Sequence, residues 1–244
     1  AFALTLLIMF TISSLITYNQ AKFVTQDILL DAAIAGALQN AELINNWLIG
    51  LTDGLHLLAG TPAIYGMDWD EQLPVLKSAM SSHKELADAY IADAHGMART
   101  FNGTRTDLSE ADSFKAALSG KATYSDPIIG ESLDTSFIGI AVPIYSKEHK
   151  VIGVIGYTVK LGYLQDIVGT MTIDDHGSGW IIDKNQVTLA HVDDKYIGNK
   201  DILTSAGDDL RDLSLRMVKG ESGAGVYHID GQKKILAFAP IKAT

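Results

Sequence analysis

The sequence predicts an α+β protein: one long N-terminal helix followed by two tandem antiparallel-sheet modules. Three observations point there. Apolar residues recur at helical spacing up to Leu58, with no proline before Pro62. From Ala87 onward the pattern changes to short strands punctuated by turns. The same order of elements then returns, its opening strand and turn at an offset of 90 residues.

The first run, Ala1 to Ala21, carries no charged side chain. About 20 apolar residues cross a bilayer as a helix, so residues 1–18 are expected to form part of a membrane span. A cleaved secretory leader is the rival reading, but no small-residue cleavage signature follows. Residues 19–58 continue as an amphipathic stalk helix on Ile34, Leu38, Leu43, Trp47, Leu51, Leu55 and Leu58. That stripe serves a core contact, a dimer seam, or both on different faces.

A second helix fits Asp70 to Met80. Tyr90-Ile91-Ala92, the turn Asp93-Ala94-His95-Gly96 and Met97 to Phe101 predict a hairpin. A helix is expected to open at Asp107-Leu108-Ser109-Glu110, with Ser109 and Asp112 at capping-box spacing, and to end at Gly120. Strands follow near Tyr124–Ile128, Ser136–Tyr145 and Lys150–Val159, the last two joined by the polar turn Ser146 to His149. Leu161 to Val168 connects to the second copy. There Trp180-Ile181-Ile182-Asp183 matches Tyr90 to Asp93, a helix over Ile202–Val218 ends at Gly220, and Ala239-Pro240-Ile241 parallels Val142-Pro143-Ile144. The expected modules are residues 59–160 and 161–244. A further strand and a second membrane helix are expected beyond Thr244.

Composition removes several function classes. Asp+Glu number 29 against Lys+Arg 19, for a net charge of −10, which repels nucleic acid. With no cysteine there is no disulfide framework and no thiolate metal site. No H-E-x-x-H, G-x-S-x-G or phosphate-loop ending occurs, and the Gly-rich run Gly220 to Gly225 enters a strand rather than a helix. Asp174-Asp175 and Asp193-Asp194 lack calcium-loop spacing and read as solvated turns. No enzyme activity, cofactor or metal is expected.

Taken in order, Tyr90 to Asp93 with Gly96, Arg105 to Ser109 with Asp112 and Phe114, Ser125-Asp126-Pro127, Ala141 to Ile144, Gly153 to Gly156, Asp183, Ala190-His191, Ile197-Gly198, Gly220 and Ala239 to Ile241 resemble the double Cache sensor domains of bacterial chemoreceptors. The resemblance implies two PAS-like modules, a distal and a proximal one, in the extracytoplasmic part of an inner-membrane receptor. It also implies a small-molecule ligand in the distal module, a homodimer, and a signal passed across the membrane. The sensor of a histidine kinase or diguanylate cyclase is the alternative within the same fold; a membrane-tethered periplasmic enzyme or a scaffold module lies outside it. The candidate ligand contacts are Tyr90, Phe101, Arg105, Asp112, Ser113, Phe114, Tyr124, Asp126 and Thr158. A guanidinium at Arg105 suits a carboxylate, and Asp112 or Asp126 suits an ammonium. Asp93 doubles as a turn former and Asp112 as a helix cap. The Arg-x-Trp-Tyr run and last-strand Asp of amino-acid-binding relatives are replaced here by Ala111, Ser113, Phe114 and Thr158. That favours another ligand, such as an organic acid or a neutral metabolite.

Overall fold

In a computed structural model, the backbone is described for residues 2–130, 135–172, 177–205, 207–229 and 231–243, and the side chains for those from 28 onward except 204 and 205. Helix α1 (Phe2–Ala59) is continuous, as an uninterrupted run without proline allows. The expected span over residues 1–18 lies outside the described side chains. Among the described residues no helix is long and apolar enough to cross a membrane. The buried stripe of α1 is Ile44, Leu48, Leu51 and Leu55, at helical spacing. Leu38 and Leu43, expected on the same stripe, are exposed instead.

The chain forms two compact units. One comprises Glu42–Asp201 and Ile241–Thr244. Its centre is a six-stranded antiparallel sheet in the order β3-β2-β1-β6-β5-β4. The strands are β1 (Leu86–Asp93), β2 (Met97–Thr100), β3 (Arg105–Asp107), β4 (Thr123–Tyr124), β5 (Phe137–Tyr145) and β6 (Val151–Lys160). Helices α2 (Pro62–Tyr65) and α3 (Trp69–Ser82) precede it. Asp68 caps α3 by accepting the Asp70 N–H.

Period-2 alternation gives this sheet two faces. Ala89, Ile91, Ile140, Val142, Ile155 and Tyr157 join Ile44, Leu48, Leu51 and Leu55 of α1 in one buried cluster. Ala92, Ala98, Ala141 and Val154 join Phe114 and Ala117 of α4 (Asp112–Leu118) in another.

The turn and stop signals act as their chemistry requires. The Asp93 carboxylate accepts the N–H groups of His95 and Met97. Asp183 accepts those of Asn185 and Val187, the same turn 90 residues on. Gly120 and Gly220 both have positive φ, 94° and 75°, just past their helices. The helix onset expected at Asp107 is corrected. Residues 105–107 form the edge strand β3, Asp107 accepts the Ser109 N–H, and α4 begins only at Asp112 with no side-chain cap. The asparagine-like reach of the Asp107 side chain two residues on competes with the capping box and wins.

Downstream, α5 (Gly162–Gly169) occupies the expected connector, and β7 (Trp180–Ile182) pairs with β8 (Thr188–His191). Asp174-Asp175 lies outside the described residues. The other unit comprises Ala1–Ala41 and Ile202–Pro240. It contains α7 (Asp208–Val218) and the hairpin of β9 (Gly223–Ile229) and β10 (Gln232–Phe238). The helix expected over Ile202–Val218 is split: α6 covers Asp201–Ser205, and α7 starts anew at Asp208 with Gly207 as its N-cap. In this unit Leu213 of α7 lies against Gly225, where a Cβ would sit 2.4 Å from a leucine methyl.

Candidate functional site

On the α4 side of the six-stranded sheet, Asp88, Thr158 and Gly139 stand in one cross-strand row. Ser125 extends it by donating its N–H to the Gly139 carbonyl and accepting the Gly139 N–H on Oγ. The next row is Tyr90, Gly156 and Ala141. The floor is therefore made of small residues. The Tyr90 ring lies directly on Gly156: a Cβ there would meet Tyr90 Cζ at 2.4 Å. Ala92 and Val154, one row further, are sealed under Phe114 and Ala117. Asp88, Tyr90 and Thr158 are only half-buried. These two polar rows, half-buried beside the dry contact, are the candidate recess.

Three polar groups with spare hydrogen-bonding capacity stand in these two rows. Neither the Tyr90 nor the Thr158 hydroxyl has a partner among the described residues. The Asp88 carboxylate accepts the Ala89 N–H at 2.8 Å. Burial pushes its pKa up, opposed by the backbone N–H groups of Ala89 and Phe101. Burial also pushes the Tyr90 hydroxyl up to about 12, so it stays a neutral donor and acceptor.

The sequence candidates divide between the faces. Tyr90 and Thr158 line the recess, and Phe114 of α4 is buried over the neighbouring row. Ser113 is half-buried on α4, and Asp112 is exposed at its first residue. Three candidates are not brought to this face. Tyr124 pairs with Ile140, packs in the α1-side cluster and shares a 2.8 Å hydrogen bond with Thr52 of α1. Phe101 also packs against that cluster. Arg105 is exposed on the edge strand, directly opposite Arg99. Asp126 is exposed and forms an ion pair with Lys184 at 2.7 Å. For Tyr124, Phe101 and Arg105 register decides the face, and a one-residue difference reverses it.

Asp88 is the residue that sequence reasoning missed. A register shift between Leu86 and Asp88 brings Asp88 opposite Thr158. Its spacing of two from Tyr90 was the available signal.

His191 is held by its own turn. It is buried, its Nδ1 accepts the Asp193 N–H at 2.9 Å, and burial holds its pKa below the usual histidine range. Its ring meets Tyr196 edge-on at 4.9 Å. Gln165 of α5 clamps the His191 backbone, accepting its N–H at 2.9 Å and donating to its carbonyl.

A helix-flanked antiparallel sheet with half-buried polar groups on one face suits a small polar ligand. The double-Cache family model, described as a Cache domain, matches residues 18–244, and the chain belongs to this family of non-catalytic sensor domains. Among solved structures, the isoleucine-bound ligand-binding domain of the Pseudomonas fluorescens chemoreceptor CtaA is 20% identical with a TM-score of 0.70, covering 92% of this chain and 90% of that one. The isoleucine-bound sensory domain of the Campylobacter jejuni chemoreceptor Tlp3 is 16% identical with a TM-score of 0.67, covering 91% of each. The extracellular domain of a protein assigned as a histidine kinase, mmHK1S-Z2, is 18% identical with a TM-score of 0.70, covering 87% and 92%. No curated protein matches the chain.

Proposed function

We propose that this chain is the extracytoplasmic sensor of a transmembrane chemoreceptor, and that its distal module, residues 59–160, binds a small ammonium-bearing metabolite in the recess of Asp88, Tyr90 and Thr158. The carrying observation is the half-buried Asp88 carboxylate beside two unpartnered hydroxyls over a floor of Gly139, Gly156 and Ala141. A carboxylate in partial burial is held at a disadvantage until a cation or a proton joins it. The chemoreceptor relatives CtaA and Tlp3 carry isoleucine, which bears such a group. Arg105 stands on the opposite face, which removes the anion-holding partner from this recess and disfavours a simple organic acid. The exposed Leu38 and Leu43 of α1 are consistent with a homodimer of the membrane-anchored receptor. A histidine-kinase sensor is the second reading, favoured by the equal TM-score of 0.70 to such a domain.

A thermal-shift screen of amines, amino acids and organic acids tests the site. A ligand at 100 times its Kd adds about 2.7 kcal/mol. The shift is expected with an ammonium compound, lost in Asp88→Asn, and kept in Arg105→Gln. No shift with any ammonium compound, or an ammonium-compound shift indifferent to Asp88→Asn, rejects the assignment.

The pH dependence has a definite sign. Asp88 has a folded pKa above its ordinary value of 3.8. Its stability contribution is therefore present below 3.8 and lost as pH rises through the folded value. Without ligand, Asp88→Asn raises the melting temperature at pH 7 and has a smaller effect at pH 3.5.

A further inference from the structure

The face of the sheet turned away from α4 carries a second polar feature that the proposed sensor site does not use. Arg99 of β2 and Arg105 of β3 are direct cross-strand partners. Like charges directly opposite on neighbouring strands repel and destabilise a sheet. Such a pair is normally relieved by a carboxylate, and this chain has 29 Asp+Glu against 19 Lys+Arg. Yet neither arginine makes an ion pair or hydrogen bond among the described residues. Asp107, two residues along β3, has its carboxylate engaged by Ser109. Asp68, near the start of α3, is engaged by the Asp70 N–H.

Arg99 is also fixed in place. Its Cζ lies 4.3 Å from the centre of the Trp69 ring, and its Nε is enclosed without a partner. Stacking on an indole holds a guanidinium plane while leaving its terminal nitrogens directed outward. An enclosed N–H donor with no acceptor is a standing penalty, and a second cation one strand away adds to it. Departures of this kind from local rules mark functional positions. Two guanidinium groups on directly paired residues can present donors in the pairs that carboxylate and phosphoryl oxygens accept.

We propose that Arg99 and Arg105, with Trp69 as the backing surface, form an oxyanion-binding site on the distal module, separate from the Asp88 recess. The occupant is a carboxylate or a phosphoryl group, whose shared chemistry is a pair of acceptor oxygens on one charged centre.

The test is a fluorescence titration of the protein with inorganic phosphate and, separately, with malonate, at ionic strength held constant with chloride. Saturable change in tryptophan emission is expected with at least one of them. The phosphate arm alone responding assigns a phosphoryl ligand; the malonate arm alone assigns a carboxylate. Arg105→Gln, an exposed substitution that leaves the core untouched, should weaken binding about tenfold, equal to about 1.4 kcal/mol. Arg99→Lys keeps the charge but loses the fork and stack, and should weaken it comparably. Trp69→Phe should remove the emission change, and Asp88→Asn should leave the affinity as it was. No saturable response to either anion overturns the proposal. So does a response unaltered by Arg99→Lys and Arg105→Gln together, or one that survives Trp69→Phe and therefore reports Trp47 or Trp180.

Discussion

On the α1 side of the six-stranded sheet, Ile91, Ile155 and Val142 fill one cross-strand row, and Ala89, Tyr157 and Ile140 the next. On the α4 side, the alternate rows hold Tyr90, Gly156 and Ala141, then Asp88, Thr158 and Gly139. The same strands therefore carry β-branched bulk on one surface and small or polar groups on the other. The α1 side supplies the area removed from water that holds the unit together. That support lets the α4 side leave polar groups unpaired, which alone would weaken a sheet.

The largest expected effect comes from breaking the dry side. Ile155→Ala removes a fully buried side chain from the central strand β6 and should cost about 2–5 kcal/mol in chemical denaturation, with any recess ligand still bound by the folded fraction. A loss under about 1 kcal/mol would mean that the two faces share the burden.

A smaller effect is expected from filling the recess floor. Gly156→Ala places a methyl group where the Tyr90 ring now lies, and should cost about 1–3 kcal/mol. Adding Tyr90→Ala to the same chain should recover much of that loss, because the clash is with this one ring. A neutral Gly156→Ala would show that the ring lies elsewhere.

The smallest effect belongs to Tyr124→Phe. It deletes the hydroxyl that meets Thr52 of α1 and should cost about 0.5–1.5 kcal/mol, with ligand affinity unchanged. A change in affinity would place Tyr124 in communication with the recess and blur the division between the faces.

How much was legible in the sequence follows the same division between local and non-local causes. Asp93 and Asp183 were readable as turn formers, and Gly120 and Gly220 as helix stops. Each acts on its own backbone within a few residues. Such signals need no knowledge of what packs above them, which is why the repeat at an offset of 90 stood out. The family resemblance rested on them, and the match over residues 18–244 agrees with it.

Face assignment was not readable in the same way. Tyr124, Phe101 and Arg105 all flank strand residues, and each has the chemistry of a ligand contact. Their side of the sheet depends on pairing with β5, β1 and β2. The register shift between Leu86 and Asp88 hid Asp88 for the same reason. The seam of α1 went partly astray because Leu38 and Leu43 fit a helical stripe as well as Ile44 and Leu48 do. Only the packed partner separates them.

The clamp that Gln165 places on His191 has a consequence for the company this protein keeps. A strand's outer edge is a template on which another chain's backbone can align through alternating N–H and C=O groups. At His191 both groups are already taken by one side-chain amide, which imitates the next strand without being one. At this position β8 has nothing left to offer a passing edge, so a strand from another chain cannot pair through His191.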